Sequence, residues 1–202
     1  MTTSNIVVPE VRVSTHGFGK RAMDVAMSSV LLVIFVPVFL LVAVLIKLDS
    51  EGPVLFRQKR IGKDGEPFDI LKFRSMHADA HPYRCSPKSD HDPRLTRMGR
   101  LLRRLSIDEL PQLVNVIKGD MSLVGPRPEM PFIVDMYGAF ERQRLLVKPG
   151  ITGLWQISPA RAMPIHENLQ YDLLYLESHN LSMDVTILLR TLVAVVRGIG
   201  AA

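Results

Sequence analysis

The chain has 202 residues, enough for one domain with its own core. It is 47% apolar but only 6% aromatic, and 25 basic against 20 acidic side chains give a formal charge of +5. That balance favours anionic partners (phosphates, nucleic acid or anionic lipid) without choosing among them. A single cysteine, Cys85, excludes an internal disulfide and a cysteine-built zinc site, and suits a reducing, cytoplasmic setting.

Residues 1–19 lack periodicity and read as a mobile tail. Val30 to Ile46, "VLLVIFVPVFLLVAVLI", contains no polar side chain. With the "MDVAMSS" before it, the segment approaches the ~20 residues needed to cross a bilayer. A cleaved signal peptide would start earlier and end in a small-residue site. A buried soluble helix would normally show a polar face. Pro37 predicts a kink. Basic residues flank both sides (Lys20 and Arg21 before; Lys47, Arg57, Lys59 and Arg60 after), without the asymmetry of a spanning helix. A helix over 20–48 that enters, bends at Pro37 and leaves on one face is therefore favoured. Asp24 is expected to pair with Lys20 or Arg21, three or four residues away.

"GPVLFRQKRIGKDGEPFDILKF" predicts a β-hairpin turning at Asp64-Gly65. Residues 77–93 read as a loop; His77 and His81 have helical metal-ligand spacing, but Pro82 and the loop composition argue against a site. "RLTRMGRLLRRL", 94–105, predicts an amphipathic helix with Leu95, Met98, Leu101, Leu102 and Leu105 on one face and five arginines on the other. The arginine face is either solvated or meets headgroups and phosphates. A second apolar stripe, Val185, Leu188, Leu189, Leu192 and Val196, runs near the C-terminal end.

"SIDELPQL", 106–113, sets Asp108 beside Glu109. Ser106 and Glu109 could form a capping box, although Pro111 then falls awkwardly inside the helix. At a helix start the dipole favours ionised acids, so Asp108 is expected to be a carboxylate at pH 7. Capping needs one acid, not two amid arginines. Ionised carboxylates also attack phosphorus or hold Mg²⁺, and arginines neutralise phosphate oxygens. "GPRP", 125–128, holds Arg127 between two prolines with little freedom.

The blocks "KRAMD" (20–24), "FRQKRIG" (56–62), "KFRSM" (72–76), "DPRLTRMG" (92–99), "LRRLSIDELPQLVNVIKGDMSLVGPRP" (102–128) and "KPGITGLWQ" (148–156) closely resemble the bacterial sugar transferases that are monotopic polyprenyl-phosphate phosphoglycosyl transferases. The resemblance covers about 20–197 and implies the small, catalytic-domain-only form. It implies an α+β, mostly helical fold with one Pro-bent re-entrant membrane helix broken at Pro37, interfacial amphipathic helices and a small hairpin. A catalytic domain over 49–202 would lie on the cytoplasmic face of the bacterial inner membrane. By the resemblance Asp108 attacks the β-phosphorus of a UDP-sugar, UMP leaves, and a polyprenyl phosphate, commonly undecaprenyl phosphate, takes the sugar phosphate. Glu109 matches the Mg²⁺-binding acid. Arg103, Arg127 with Pro126 and Pro128, and Lys72 match substrate-binding positions.

Two departures stand out. Val36-Pro37 replaces the family's frequent Ser-Pro, and "ISPARA" replaces a Gly-Arg, with Arg161 one position later as the candidate substitute. The sugar is open, as is a homodimer. Two rival readings remain: a non-catalytic membrane-surface module, and a direct glycosyl transferase releasing UDP. Nucleic acid is a poor partner, because no aromatics interleave the basic patch for stacking.

Overall fold

Apolar side chains all round a helix build the longest element. The computed structural model describes residues 17–81, 83, 87, 89, 91–163 and 168–197, and α1 runs Gly17–Asp49 without interruption through Pro37. The helix therefore starts three residues earlier than the sequence suggests; the rest of the expected tail lies outside the described residues. Asp24, Ser28, Val42 and Ile46 are buried, and Leu31, Leu32, Val38 and Phe39 pack partly against the body. These positions share one helical face from end to end. The opposite face (Val30, Val33, Ile34, Leu40, Leu41, Val44, Leu48) is exposed and equally apolar. An outward face of that kind is suited to lipid rather than water. Membrane association is thus expected of α1 on composition and exposure together.

The ends of α1 dock on one body. Asp24 accepts hydrogen bonds from Ser122 Oγ (2.8 Å) and Leu123 N (3.1 Å), while Lys20 pairs with Asp184 (2.7 Å) and Arg21 caps carbonyls of Val116 and Ile117. The expected local pairing of Asp24 with Lys20 or Arg21 is not made. All three groups find partners 95 to 164 residues away because burial rewards fully satisfied charges. At the other end Phe39 meets Phe73 edge-on and Asp49 caps Met98 N.

The hairpin forms as expected. β1 (Leu55–Ile61) and β2 (Pro67–Phe73) pair antiparallel, Leu55 opposite Phe73. Asp64 and Gly65 both take positive φ, as such a turn requires. The arginine helix, α2 (Arg97–Arg104), begins where Thr96 Oγ1 caps Gly99 N. Its apolar face divides: Leu102 is buried, whereas Leu101 and Leu105 are exposed beside the arginines. Then come α3 (Gln112–Lys118), β3 (Ser122–Val124), the short α4 (Pro131–Val134) and α5 (Ala139–Arg142), β4 (Gly150–Thr152), α6 (Gln170–Ser178) and α7 (Leu181–Val196). β3 and β4 pair in parallel, with Gly150 so near that a Cβ there would lie 2.1 Å from Gly125 N. On α7, Asp184 and Ile187 face the core, while Val185, Leu189 and Leu192 of the C-terminal stripe are exposed. The side chain of Val196 lies outside the described residues. The main core joins β2, α3, β3, α6 and α7.

Candidate active site

Ser106 adopts the left-handed conformation (φ 55°) and makes no capping bond. Its role is to turn the chain out of α2 into a single 3₁₀ turn, Ile107–Glu109, that carries both acids. A capping box is therefore not formed. α3 starts only at Gln112, with Pro111 preceding it, so the acids precede the helix rather than cap it.

The adjacent acids meet opposite surroundings. Glu109 Oε1 accepts from Lys72 Nζ at 2.6 Å and from Arg127 Nη2 at 2.8 Å. Burial disfavours its charge, but Arg127 and Lys72 outweigh that and hold the carboxyl well below the usual range. Asp108 is buried and receives no hydrogen bond or ion pair among the described residues. Burial lifts it to about 6, against the pull of Lys72 and Arg103, with Glu109 adding to the rise. Asp108 is thus mostly ionised at pH 7, but its shift runs opposite to the helix-dipole expectation because desolvation dominates.

The "GPRP" loop is held at three successive carbonyls. Pro126 O accepts from Gly150 N (2.9 Å), Arg127 O from Arg144 Nη2 (2.7 Å) and Pro128 O from Arg60 Nη1 (3.1 Å). Both proline rings are buried and serve to fix Arg127. Arg144 is itself fully buried between Asp172 (2.7 Å) and the Tyr137 hydroxyl (2.7 Å). Arg60, brought down to about 10 chiefly by burial and then by Arg127, completes the cluster. Arg60 and Arg144 escaped sequence reasoning: Arg60 lies in a motif without an acid beside it, and Arg144 has no local signal. Arg103 is half-buried and acts on Asp108 through charge alone. Arg161, in the turn Pro159–Ala162, makes no described bond to the acids.

A clustered set of cations around an unspent carboxylate suits an anionic phosphate substrate. Among the described residues no three His, Cys, Asp or Glu side chains gather as a metal cage. Mg²⁺ needs only one or two carboxylates when substrate phosphate completes its shell. Glu109, whose two bonds both fall on Oε1, and Asp108 fit that limited donor set.

The family model "Bacterial sugar transferase" matches residues 15–198. The chain belongs to that family. Among similar bacterial sugar transferases, the UDP-N-acetylgalactosamine-undecaprenyl-phosphate N-acetylgalactosaminephosphotransferase of Aeromonas hydrophila is 41% identical over 92% of this chain and 45% of its own length. The exopolysaccharide production protein ExoY of Rhizobium meliloti is 39% identical, covering 89% of this chain and 86% of the relative. The UDP-glucose:undecaprenyl-phosphate glucose-1-phosphate transferase of Caulobacter vibrioides is 43% identical, covering 85% and 67%. This bacterial sugar transferase thus spans less than half the length of the Aeromonas protein and most of ExoY.

Proposed function

We propose that this bacterial sugar transferase moves a sugar 1-phosphate from a UDP-sugar to a polyprenyl phosphate, releasing UMP, at the cytoplasmic face of the membrane. The observation that carries the reading is the division of labour in the dyad: Glu109 is fixed by two cations while Asp108 stays buried, ionised at pH 7 and, among the described residues, without a hydrogen bond. The names of the relatives support the substrate classes.

In the first step an Asp108 oxygen attacks the β-phosphorus. The bond to the bridging oxygen breaks and UMP leaves with that oxygen, giving a sugar-phosphoryl aspartate. In the second step an oxygen of the polyprenyl phosphate attacks the same phosphorus, and the aspartyl oxygen leaves as the carboxylate. No proton transfer is required in either step. Lys72, Arg103 and Arg127 neutralise the phosphate oxygens as charge shifts. Glu109 would hold Mg²⁺, which supplies further neutralisation when bound. Arg161 is assigned to the sugar or nucleotide end.

Attachment from one side of the membrane is the topology we favour. It is supported by the grip of a single body on both ends of α1 and by the apolar outer face between them. A bend at Pro37 belongs to the same reading. Incubation with a panel of UDP-sugars, undecaprenyl phosphate and Mg²⁺, scored for UMP, tests the activity and names the sugar. UDP as the product would instead indicate direct glycosyl transfer.

A further inference from the structure

The β1–β2 hairpin brings a second cation to the site besides Lys72. In its register Phe56 stands opposite Lys72, Gln58 opposite Ile70 and Arg60 opposite Phe68. Directly opposed residues of an antiparallel pair share a face. Gln58, Arg60 and Lys72 therefore project from the inner face, where Gln58, Phe68 and Ile70 are buried. Arg57, Lys59 and Asp69 lie on the outer, exposed face. Lys72 reaches Glu109, and Arg60 reaches the Pro128 carbonyl, one residue past Arg127.

The hydrogen bonds of Arg60 all go to neutral acceptors. Nε and Nη2 both donate to Gln58 Oε1, at 3.0 and 2.8 Å, and Nη1 donates to Pro128 O at 3.1 Å. Gln58 Nε2 donates in turn to Met130 Sδ at 3.7 Å, which sets the oxygen end of the amide toward the guanidinium. Glu129 stands 4.0 Å from Nη1, beyond hydrogen-bond length. Arg127 and Arg144, by contrast, are bonded directly to Glu109 and Asp172. One N–H on each terminal nitrogen of Arg60 is left for a further acceptor. An amide orients a guanidinium without bringing a negative charge to it, whereas a glutamate in its place would do both. Burial and then Arg127 disfavour the Arg60 charge, and Glu129 and Glu109 offset part of that. Two guanidinium groups held side by side by separate elements, against their repulsion, suit a ligand with charge on two adjacent phosphates.

We propose that Arg60 binds the diphosphate of the nucleotide-sugar donor beside Arg127, and that Gln58 is the positioning residue that aims it without neutralising it. The assignment rests on the reading of the protein as a UDP-sugar transferase, and it is to the donor and not to the lipid phosphate.

Calorimetric titration of the full chain in neutral detergent with UDP and Mg²⁺ tests it, with Tm and UMP release followed in the same preparations. Gln58→Glu keeps an acceptor for Arg60 but adds a counter-charge. Its Tm is expected to hold or rise while UDP affinity falls at least about tenfold. Arg60→Gln should lose at least about tenfold as well. Gln58→Met, of similar volume, should lose affinity and Tm together. Arg57→Gln removes the same charge from the outer face and should stay within about twofold of wild type. A Gln58 that only supports the fold would give the reverse pattern, with Gln58→Glu harmless and Gln58→Met damaging. That pattern overturns the proposal. So does unchanged UDP affinity in either Gln58→Glu or Arg60→Gln, absence of UDP binding by the wild-type chain, or a loss confined to the KM for undecaprenyl phosphate. The expected binding pattern without UMP release would count against the proposed reaction alone. Normal UMP release with variants that bind UDP like wild type would count against this assignment alone.

Discussion

Two neighbouring carboxyl groups with the same backbone turn are driven in opposite directions by what surrounds them. Asp108 carries an unrelieved desolvation cost and titrates near 6 instead of 3.8. Between those values the native state holds a proton that the unfolded chain gives up, so stability falls as pH rises through that window. Asp108→Asn is therefore expected to stabilise the protein at pH 7 by up to about 3 kcal/mol, with the gain gone below about pH 4. The same variant should lose about four orders of magnitude or more in UMP release. Melting at both pH values and a turnover assay check the two effects. The wild-type rate should show an acid limb near pH 6, since only the ionised carboxyl attacks. Glu109→Gln should act with the opposite sign on stability. It leaves Lys72 and Arg127 facing each other without their counter-ion and costs about 3 kcal/mol in a denaturation experiment. The adjacency of the acids was legible in the sequence. Their difference was not, because Lys72 and Arg127 arrive from 37 and 18 residues away.

At the level of elements, the site depends on how α3 is locked to β2. Asn115 accepts from Leu71 N (3.0 Å) and donates to Asp69 O (2.8 Å) and Asp120 (3.1 Å), bracketing the strand just before Lys72. Asn115→Ala should cost about 2–3 kcal/mol and weaken UDP-sugar binding by loosening Lys72, measured as lower Tm with a raised KM. Elements with strong local chemistry were readable: the hairpin follows from Asp64-Gly65, and α2 from its apolar period. What escaped was non-local. A left-handed Ser106 replaced the expected cap, and the exposed Leu101 and Leu105 were expected to share a face with buried Leu102. Sequence periodicity reports that a face is apolar; it does not say whether protein or lipid covers it.

Across the whole molecule, α1 ties its exposed apolar face to the body that holds the dyad. Lys20, Asp184 and Tyr175 join its first turn to α7 and α6 through bonds of 2.7 and 2.8 Å, with Asp184 fully buried. The long apolar run was plain in the sequence, but its partners were not, since they lie in the distant β2, α2, α3, β3 and α7. If one body holds both ends, tags at the two termini should be accessible to protease from the same side of sealed vesicles. Accessibility from opposite faces would contradict one-sided attachment. The central claim is covalent transfer through Asp108, and one measurement reaches it directly. Enzyme is mixed with its UDP-sugar and Mg²⁺ without lipid acceptor, and nucleotide release and protein mass are followed together. The account predicts a burst of UMP equal to the enzyme present, a sugar-phosphate added at Asp108, and neither in Asp108→Asn. Release of UDP, or a UMP burst that persists in Asp108→Asn, would contradict it.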